Sequence, residues 1–414
     1  MMNEEKLVIT GMGAVTPIGI GTKNYWENLI QGTCGIQKIT KFDTEKLPVQ
    51  IGAEIKNYTP LDYMPKSLAK ATDPFAQYAF IAASEALKDS ALPINEESDR
   101  IGIVMGTAMD GITSVAKTQR EFTTGEIRRV GPRFVPMIIG NIAAAQIAIE
   151  YGIVGPSLTL NTACSSGGDA MMTAAMLLRS GEADSIIAVG GESIFCPIIL
   201  SGLAQSQALS RNNDHPAEAC RPFDADRDGF VIGEGGGAVV IETENHALKR
   251  NAKIYAVLAG YANTNDGYHI TAPDPSGKGA VACMESALKR SNLSPSDIGY
   301  ISAHGTSTLL GDRAETSAIK QVFGDINTAP PVSSTKGATG HLMGAGGITE
   351  VIACIKAISE EVLPPTLNYH TPDPLCDLDY IPNQARKAKI YAAMSNSLGF
   401  GGQNSSIIVT KYEK

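Results

Sequence analysis

The sequence holds a single tryptophan, few aromatic residues and little charge: aromatics make up 6% of it and charged residues 19%, against 43% hydrophobic. That balance excludes an intrinsically disordered chain and fits a packed globular one. Cations are not in excess. The 34 Lys and Arg stand against 43 Asp and Glu, a net charge of −9, which excludes a broad cationic surface for nucleic acid as the main function. An acidic partner must therefore meet a local basic patch. Long hydrophobic runs are missing too: Ser185 to Val189 is short, and Ile138 to Ile149 is broken by Asn141 and Gln146, so no bilayer span is expected. The first residues run straight into the strand-like Leu7 to Thr10 without the basic region, apolar stretch and cleavage site of a secretory signal, and the expectation is a cytoplasmic protein.

The seven cysteines form no CxxC pair and no regular ladder, which argues against a disulfide framework or a zinc site and leaves most of them as buried thiols. Gly11-Met-Gly13 lacks the third glycine of a dinucleotide fingerprint, Gly233-Glu-Gly235 precedes a strand instead of a helix, and no Walker sequence occurs. Asp224-Ala-Asp226-Arg-Asp228-Gly229 imitates a calcium loop, but its twelfth position is Gly235 and Glu234 falls one residue early. His215, His246, His269 and His370 sit among polar or turn residues and read as structural or solvent-facing.

What is abundant is glycine, with 42 residues, in a chain of 414 whose short apolar strands alternate with helical stretches, the α/β pattern. At roughly 100 to 200 residues per domain the length allows two to four domains, or two halves sharing a core. The chain repeats itself once. Leu158 to Gly168 reads as strand, small-residue turn and apolar helix from Asp169 to about Ser180, and Pro331 to His341 reads the same way with a helix from about Gly346 to Ser359. Lys6 to Val15 and Lys253 to Ala262 open the two copies alike. Two related halves, 1–250 and 251–414, with a site at their junction follow from this.

Cys164 sits where a strand turns into a helix, among Thr162, Ala163, Ser165, Ser166, Gly167 and Gly168. A thiol at a helix N-terminus meets unpaired N–H groups and the positive end of the dipole, which favour the thiolate and offer donors for an oxyanion. His304, in Ser302-Ala-His-Gly-Thr-Ser-Thr308, and His341, in Ser333-Ser-Thr-Lys336-Gly-Ala-Thr-Gly-His, lie beside glycine and small polar residues. Lys336, in the same turn as His341, completes a Cys-His-His-Lys set. Phe400 lies between glycines in Ser395-Asn-Ser-Leu-Gly-Phe-Gly-Gly402, where its N–H can face a cavity and its ring can act as a movable wall.

At Asn161-Thr-Ala-Cys164-Ser-Ser, His304-Gly-Thr-Ser-Thr308, Lys336-Gly-Ala-Thr-Gly-His341 and Asn396-Ser-Leu-Gly-Phe-Gly-Gly402 the chain resembles the β-ketoacyl-[acyl-carrier-protein] synthases, most closely the elongating type II enzymes. The resemblance spans the chain, from Val8-Ile-Thr-Gly-Met-Gly13 through Arg221-Pro-Phe-Asp224 to the last strand. It implies the thiolase fold, two pseudo-symmetric βαβ-rich halves in five layers, αβαβα, working as a homodimer. It implies an acyltransferase with Cys164 as nucleophile, His304 and His341 bonded to the malonyl thioester oxygen, and the N–H groups of Cys164 and Phe400 as oxyanion hole. Lys336 would orient the histidines, Thr306 and Thr308 would hold the pantetheine arm, and Met109 and Leu203 would line the acyl pocket with Phe400. No metal or redox cofactor is implied, since the 4'-phosphopantetheine belongs to the carrier protein. That acidic partner would dock on Arg128, Arg129 and Arg133, helped by Lys66 and Lys70.

Some positions depart from the family. Ser165-Ser166 stand where Ala-Thr is common, Met109 replaces a common isoleucine, Leu203 a phenylalanine and Gln403 a histidine. These leave the reaction type alone and bear on the acyl substrate, so the alternative is a specialised ketosynthase of a polyketide or aryl-polyene-type pathway. A non-condensing ketosynthase-like partner would usually lack the cysteine, a degradative thiolase would need a second cysteine after Cys376, and a cysteine hydrolase would not depend on a malonyl donor.

Overall fold

A computed structural model describes residues 5–125 and 130–413. Ten strands make up the path of its main sheet: β1 Leu7–Thr16, β2 Ile101–Gly106, β3 Ser157–Leu160, β4 Ser185–Glu192, β5 Gly235–Thr243, β6 Ala256–Asn265, β7 Ile298–Ser302, β8 Val332–Ser333, β9 Ala392–Gly399 and β10 Gln403–Thr410. The helices that matter below are α1 Pro74–Ser90, α2 Ile142–Tyr151, α3 Ser166–Arg179, α4 Pro197–Gln205, α5 Lys278–Ser291, α6 Leu309–Phe323 and α7 Gly346–Glu360.

Across the sheet the strands run β8-β7-β9-β10-β6-β1-β5-β4-β2-β3. Counted outward from the β6–β1 contact, both halves follow one order: first, fifth, fourth, second, third. Pairing sense repeats as well, antiparallel for β1–β5 and β5–β4 and parallel for β4–β2 and β2–β3, with β6–β10, β10–β9, β9–β7 and β7–β8 matching them. The halves join where Val8 pairs with Val257 and Ile9 with Ala256. The internal repeat expected from the sequence is thus carried by the backbone.

Burial explains the layering. On α7, apolar residues occur on nearly every side, and Ile348, Val351, Ile352, Cys354 and Ile355 are all buried, so this helix must be covered all round. It lies against α3, and between them the two helices touch strands of both halves, forming the middle layer. Helix α1 packs on β1, β4 and β5, with α2 beside it; α5 packs on β6 and β10, with α6 beside it. Five layers, αβαβα, result, as the thiolase-fold expectation requires. Each Ile or Val fully buried in the middle layer contributes on the order of 1.5–3 kcal/mol. None of the helices among the described residues is long and apolar enough to cross a membrane.

Helix starts differ slightly from the sequence reading. Helix α3 begins at Ser166, three residues before the expected Asp169, because Ser165 and Ser166 close the turn with their hydroxyls. In the second half a four-residue helix, Lys336–Thr339, precedes α7, so that turn is longer than its counterpart.

Candidate active site

Each site residue expected from the sequence that the structure brings to the centre follows the carboxyl end of a strand, where open α/β sheets place their ligands. Met109 follows β2, Cys164 follows β3, His304, Thr306 and Thr308 follow β7, Lys336 and His341 follow β8, and Phe400 follows β9. Leu203 lies on α4, after β4.

The nucleophile turn is strained and braced. Ala163 adopts φ 53°, a region that non-glycine residues seldom enter. Thr162 Oγ1 donates to Asp169 Oδ2 at 2.6 Å, and Ser165 Oγ donates to Thr162 O at 2.8 Å and to Asp169 Oδ2 at 3.1 Å. Asn263 on β6 reaches across from the other half and donates Nδ2 to both Asp169 oxygens at 2.9 Å. Ser165, one of the departures from the family pattern, therefore adds a bond to the brace. Close packing fixes the turn against the sheet: a Cβ on Gly106 would lie 2.3 Å from Ser166 O.

His341 Nε2 lies 3.0 Å from Cys164 Sγ, and its ring meets that of His304 edge-on, centroids 5.2 Å apart at 85°. Phe230 also packs edge-on against His341, with centroids 5.5 Å apart. Burial, the Lys336 cation and, for His304, its neighbour His341 hold both imidazoles well below their ordinary pKa, so both are neutral at neutral pH. Neutral imidazole is the form that donates one hydrogen bond without carrying charge. The backbone N–H groups of His304 and Gly305 donate to Glu315, each at 2.7 Å, which locks the His304 turn onto α6.

Lys336 is 1% exposed and pairs with Glu350 on α7. Without that carboxylate its charge would be uncompensated in the core. Neither Glu315 nor Glu350 was apparent from the sequence, since an acid on an amphipathic helix reads as a solvated face.

The sequence suggested a thiolate at Cys164, and burial opposes it. It pushes the thiol up to about 11, against the pull of a backbone hydrogen bond from Phe400, the Lys336 charge and the residue's own backbone N–H. The resting group is a thiol, and its proton must leave as it reacts. The same two N–H groups, of Phe400 and Cys164, are the oxyanion donors expected from the sequence. The Phe400 loop packs closely on the nucleophile turn: a Cβ on Gly399 would sit 3.0 Å from Thr162 O and 3.1 Å from Cys164 N, tighter than an ordinary contact. Phe400 itself is 38% exposed.

These groups face a cavity of about 590 Å³ lined by Cys164, His304, His341, Met109, Leu203 and Phe400, with Thr306 and Thr308 on its wall. The two threonine hydroxyls lie 3.0 Å apart. Among the described residues, Cys164, His304 and His341 are the set whose ligand atoms come close enough to hold a metal ion, within 4.8 Å of one another. The buried Lys336 cation, which already disfavours protonated imidazole here, opposes a second cation in the same place.

Arg133, Lys66 and Lys70 are exposed, and Arg128 and Arg129 lie outside the described residues. The calcium-like stretch is bracing: Asp224 accepts from the N–H groups of Asp226, His370 and Thr371, and Arg227 pairs with Asp312 and Asp373. His246 lies between Glu242 and Glu97, at 2.6 and 2.7 Å. Cys34 is half-buried, and the other five cysteines besides Cys164 are buried.

Comparison with known proteins agrees with this geometry. The family model described as the β-ketoacyl synthase N-terminal domain matches residues 4–247, and that of the C-terminal domain matches residues 255–370. The chain is 44% identical over 414 residues to the 3-oxoacyl-[acyl-carrier-protein] synthase 2 of Staphylococcus aureus, covering 100% of both chains. It is 43% identical over 413 residues to the enzyme of that name from Synechocystis sp., covering 100% of this chain and 99% of the other. Among solved structures, a type II PKS ketosynthase in complex with its acyl-carrier protein (AntDE:AntF) superposes with a TM-score of 0.91 at 33% identity, over 99% of this chain and 100% of the other. The ishigamide ketosynthase/chain length factor gives the same TM-score at 31% identity and the same coverage.

Proposed function

The chain belongs to the β-ketoacyl synthase family of condensing acyltransferases, and from that premise we propose how its own residues perform the reaction: a decarboxylative Claisen condensation that lengthens an acyl chain by two carbons. The observation that carries the proposal is the convergence of Cys164 Sγ, two neutral imidazoles and two backbone donors on one cavity.

Cys164 Sγ attacks the thioester carbonyl of an acyl-carrier. The C–S bond to the enzyme forms, the bond to the pantetheine sulfur breaks, and the thiol proton goes to the departing sulfur, while the Nε2–H of His341, 3.0 Å away, steadies the Cys164 sulfur. Malonyl-carrier then enters with its thioester oxygen between His304 and His341. Its terminal C–C bond breaks, carbon dioxide leaves, and the electron pair becomes an enolate held by the two N–H donors. That carbon attacks the acyl-Cys carbonyl. The N–H groups of Cys164 and Phe400 hold the tetrahedral oxyanion, which collapses as the Cys164 sulfur leaves as a thiolate and takes up a proton from water. Lys336 keeps the imidazoles neutral, and Thr306 and Thr308 offer hydroxyls to the pantetheine arm. The residues that take part are split between 1–250, which supplies the nucleophile, and 251–414, which supplies the histidines and the Phe400 loop.

Full-length identity of 44% to the Staphylococcus aureus synthase exceeds the 31% to the ishigamide ketosynthase/chain length factor and the 33% to the type II PKS ketosynthase, and supports fatty-acyl elongation over a specialised pathway. Offered malonyl-carrier and a panel of acyl-carriers, the protein should yield products two carbons longer, read by mass. Release of free acid without a malonyl donor would instead mark a hydrolase.

The partner is an acyl carrier protein, approached in a cytoplasmic setting. With a net charge of −9 the enzyme needs a local positive region to steer an acidic carrier, and Arg128, Arg129 and Arg133 with Lys66 and Lys70 supply it. Charge reversal at Arg128 and Arg129 is expected to raise KM for carrier-bound substrates and leave small pantetheine thioesters turned over as before, with added salt reproducing the effect. Equal loss on both substrates would assign the arginines to the fold. A homodimer is supported by the edge position of β3, where Leu158 is exposed, and sedimentation at the mass of two chains is its check.

A further inference from the structure

At the end of β4 lies a carboxylate that the chemistry above does not use. Glu192 is fully buried, and it stands where the second half, at the end of β9, places the Phe400 loop. Its Oε2 accepts from Ala108 N at 2.6 Å and from Gly344 N at 3.2 Å, and its Oε1 accepts from Met109 N at 3.3 Å. One side chain thus joins two segments that line the acyl cavity: the Ala108–Met109 corner after β2, and the Met343–Gly344 turn that follows His341.

The fit around it is close. A Cβ on Gly344 would lie 2.8 Å from Ala108 N and 2.9 Å from Glu192 Oε2, so the turn and the corner are held in contact through this carboxyl group. The Ala108 peptide is gripped from the opposite side as well, where Asn161 Nδ2 donates to Ala108 O at 3.0 Å. Asn161 precedes Cys164 by three residues, so the wall at Met109 is referenced to the nucleophile turn through Asn161 and to the His341 turn through Glu192. An apolar residue at 192 would leave three N–H groups without a partner. Burial pushes the Glu192 carboxyl up to about 8, opposed by those three N–H bonds, so the site pays for a group whose contacts are all to backbone that shapes the pocket.

We propose that Glu192 is a positioning residue that fixes the Met109 wall relative to the nucleophile, and through it sets which acyl chains the pocket accepts. The inference rests on reading this cavity as the acyl pocket. Released from Glu192, the wall gives way, and long acyl chains gain relative to short ones.

The test compares Glu192→Gln, Glu192→Ala and Asn161→Ala with the unchanged protein, measuring kcat/KM for acylation of Cys164 by short and long acyl-carriers. In the glutamine variant the amide oxygen can keep the Ala108 and Gly344 bonds while its NH₂ faces Met109 N–H, so the wall alone is loosened. Its long-to-short ratio should rise several-fold and that of Glu192→Ala about 10-fold, the scale of a changed contact in a hydrophobic pocket. Asn161→Ala should move the ratio in the same direction. Since Asn161 is exposed, this variant reports even if Glu192→Ala does not accumulate as folded protein. A merely structural role would lower the melting temperature and depress kcat for every chain length alike. Ratios within about twofold of the unchanged protein in Glu192→Gln and Asn161→Ala overturn the proposal. Absence of Cys164 acylation in the unchanged protein, by any acyl-carrier, overturns the acyl-pocket reading instead.

Discussion

Replacing Cys164 with serine should lower condensation by about 10,000-fold or more, the scale seen when a catalytic nucleophile is removed. The hydroxyl would occupy the place of the thiol, so binding of carriers and packing of the turn should persist while covalent transfer stops. Two features make the loss so large. The site has no base stronger than a neutral imidazole next to residue 164, since burial and the Lys336 charge depress His341. A serine hydroxyl is far harder to deprotonate than a thiol, even one that burial has raised to about 11. Neither Cys34 nor any of the five buried cysteines lines the cavity, so none replaces Cys164 there. Normal condensation by Cys164→Ser would mean that the acyl group is never carried on this sulfur.

The histidine variants should fail at a different step. His304→Ala and His341→Ala each remove one donor aimed at the enolate oxygen, and loss of such a donor typically costs about 100- to 1,000-fold in rate. The loss belongs to decarboxylation, because the enolate forms only when carbon dioxide leaves. Acylation of Cys164 should continue in both variants, more slowly in His341→Ala, whose missing Nε2 lies 3.0 Å from the sulfur. Single-turnover measurement separates the steps: adduct formation by mass, carbon dioxide by trapping. Unimpaired carbon dioxide release by either variant contradicts the assigned role.

The difference between these two outcomes rests on features that sequence reveals unequally. The turns around Cys164 and around Lys336 and His341 were visible because small residues at the end of an apolar run leave few other conformations, and because the same strand, turn and helix occurred twice. That repeat implied two related halves meeting near residue 250, whereas the strand order across the sheet and the β1–β6 pairing emerge only from the fold. The bracing was not visible. Asp169, Glu192, Glu315 and Glu350 are buried acids, and two of them take partners from distant segments: Asn263 on β6 for Asp169 and the N–H of Ala108 for Glu192. A lone acid at a strand end or on a helix reads as surface until the chain is folded around it. The ionisation of Cys164 was misjudged for the same reason: the helix end that favours a thiolate is local and legible, whereas the burial that opposes it is assembled from both halves.

These features meet in one claim, that an acyl group rides on Cys164 and leaves it by attack from a decarboxylated malonyl unit. The measurement that tests it most directly is peptide mass spectrometry of the protein incubated first with an acyl-carrier and then with malonyl-carrier. An acyl adduct is expected on the Cys164 peptide alone, discharged on adding malonyl-carrier, with one carbon dioxide released per adduct and a carrier-bound product two carbons longer. An adduct on another residue, or one on Cys164 that persists in the presence of malonyl-carrier, would contradict it.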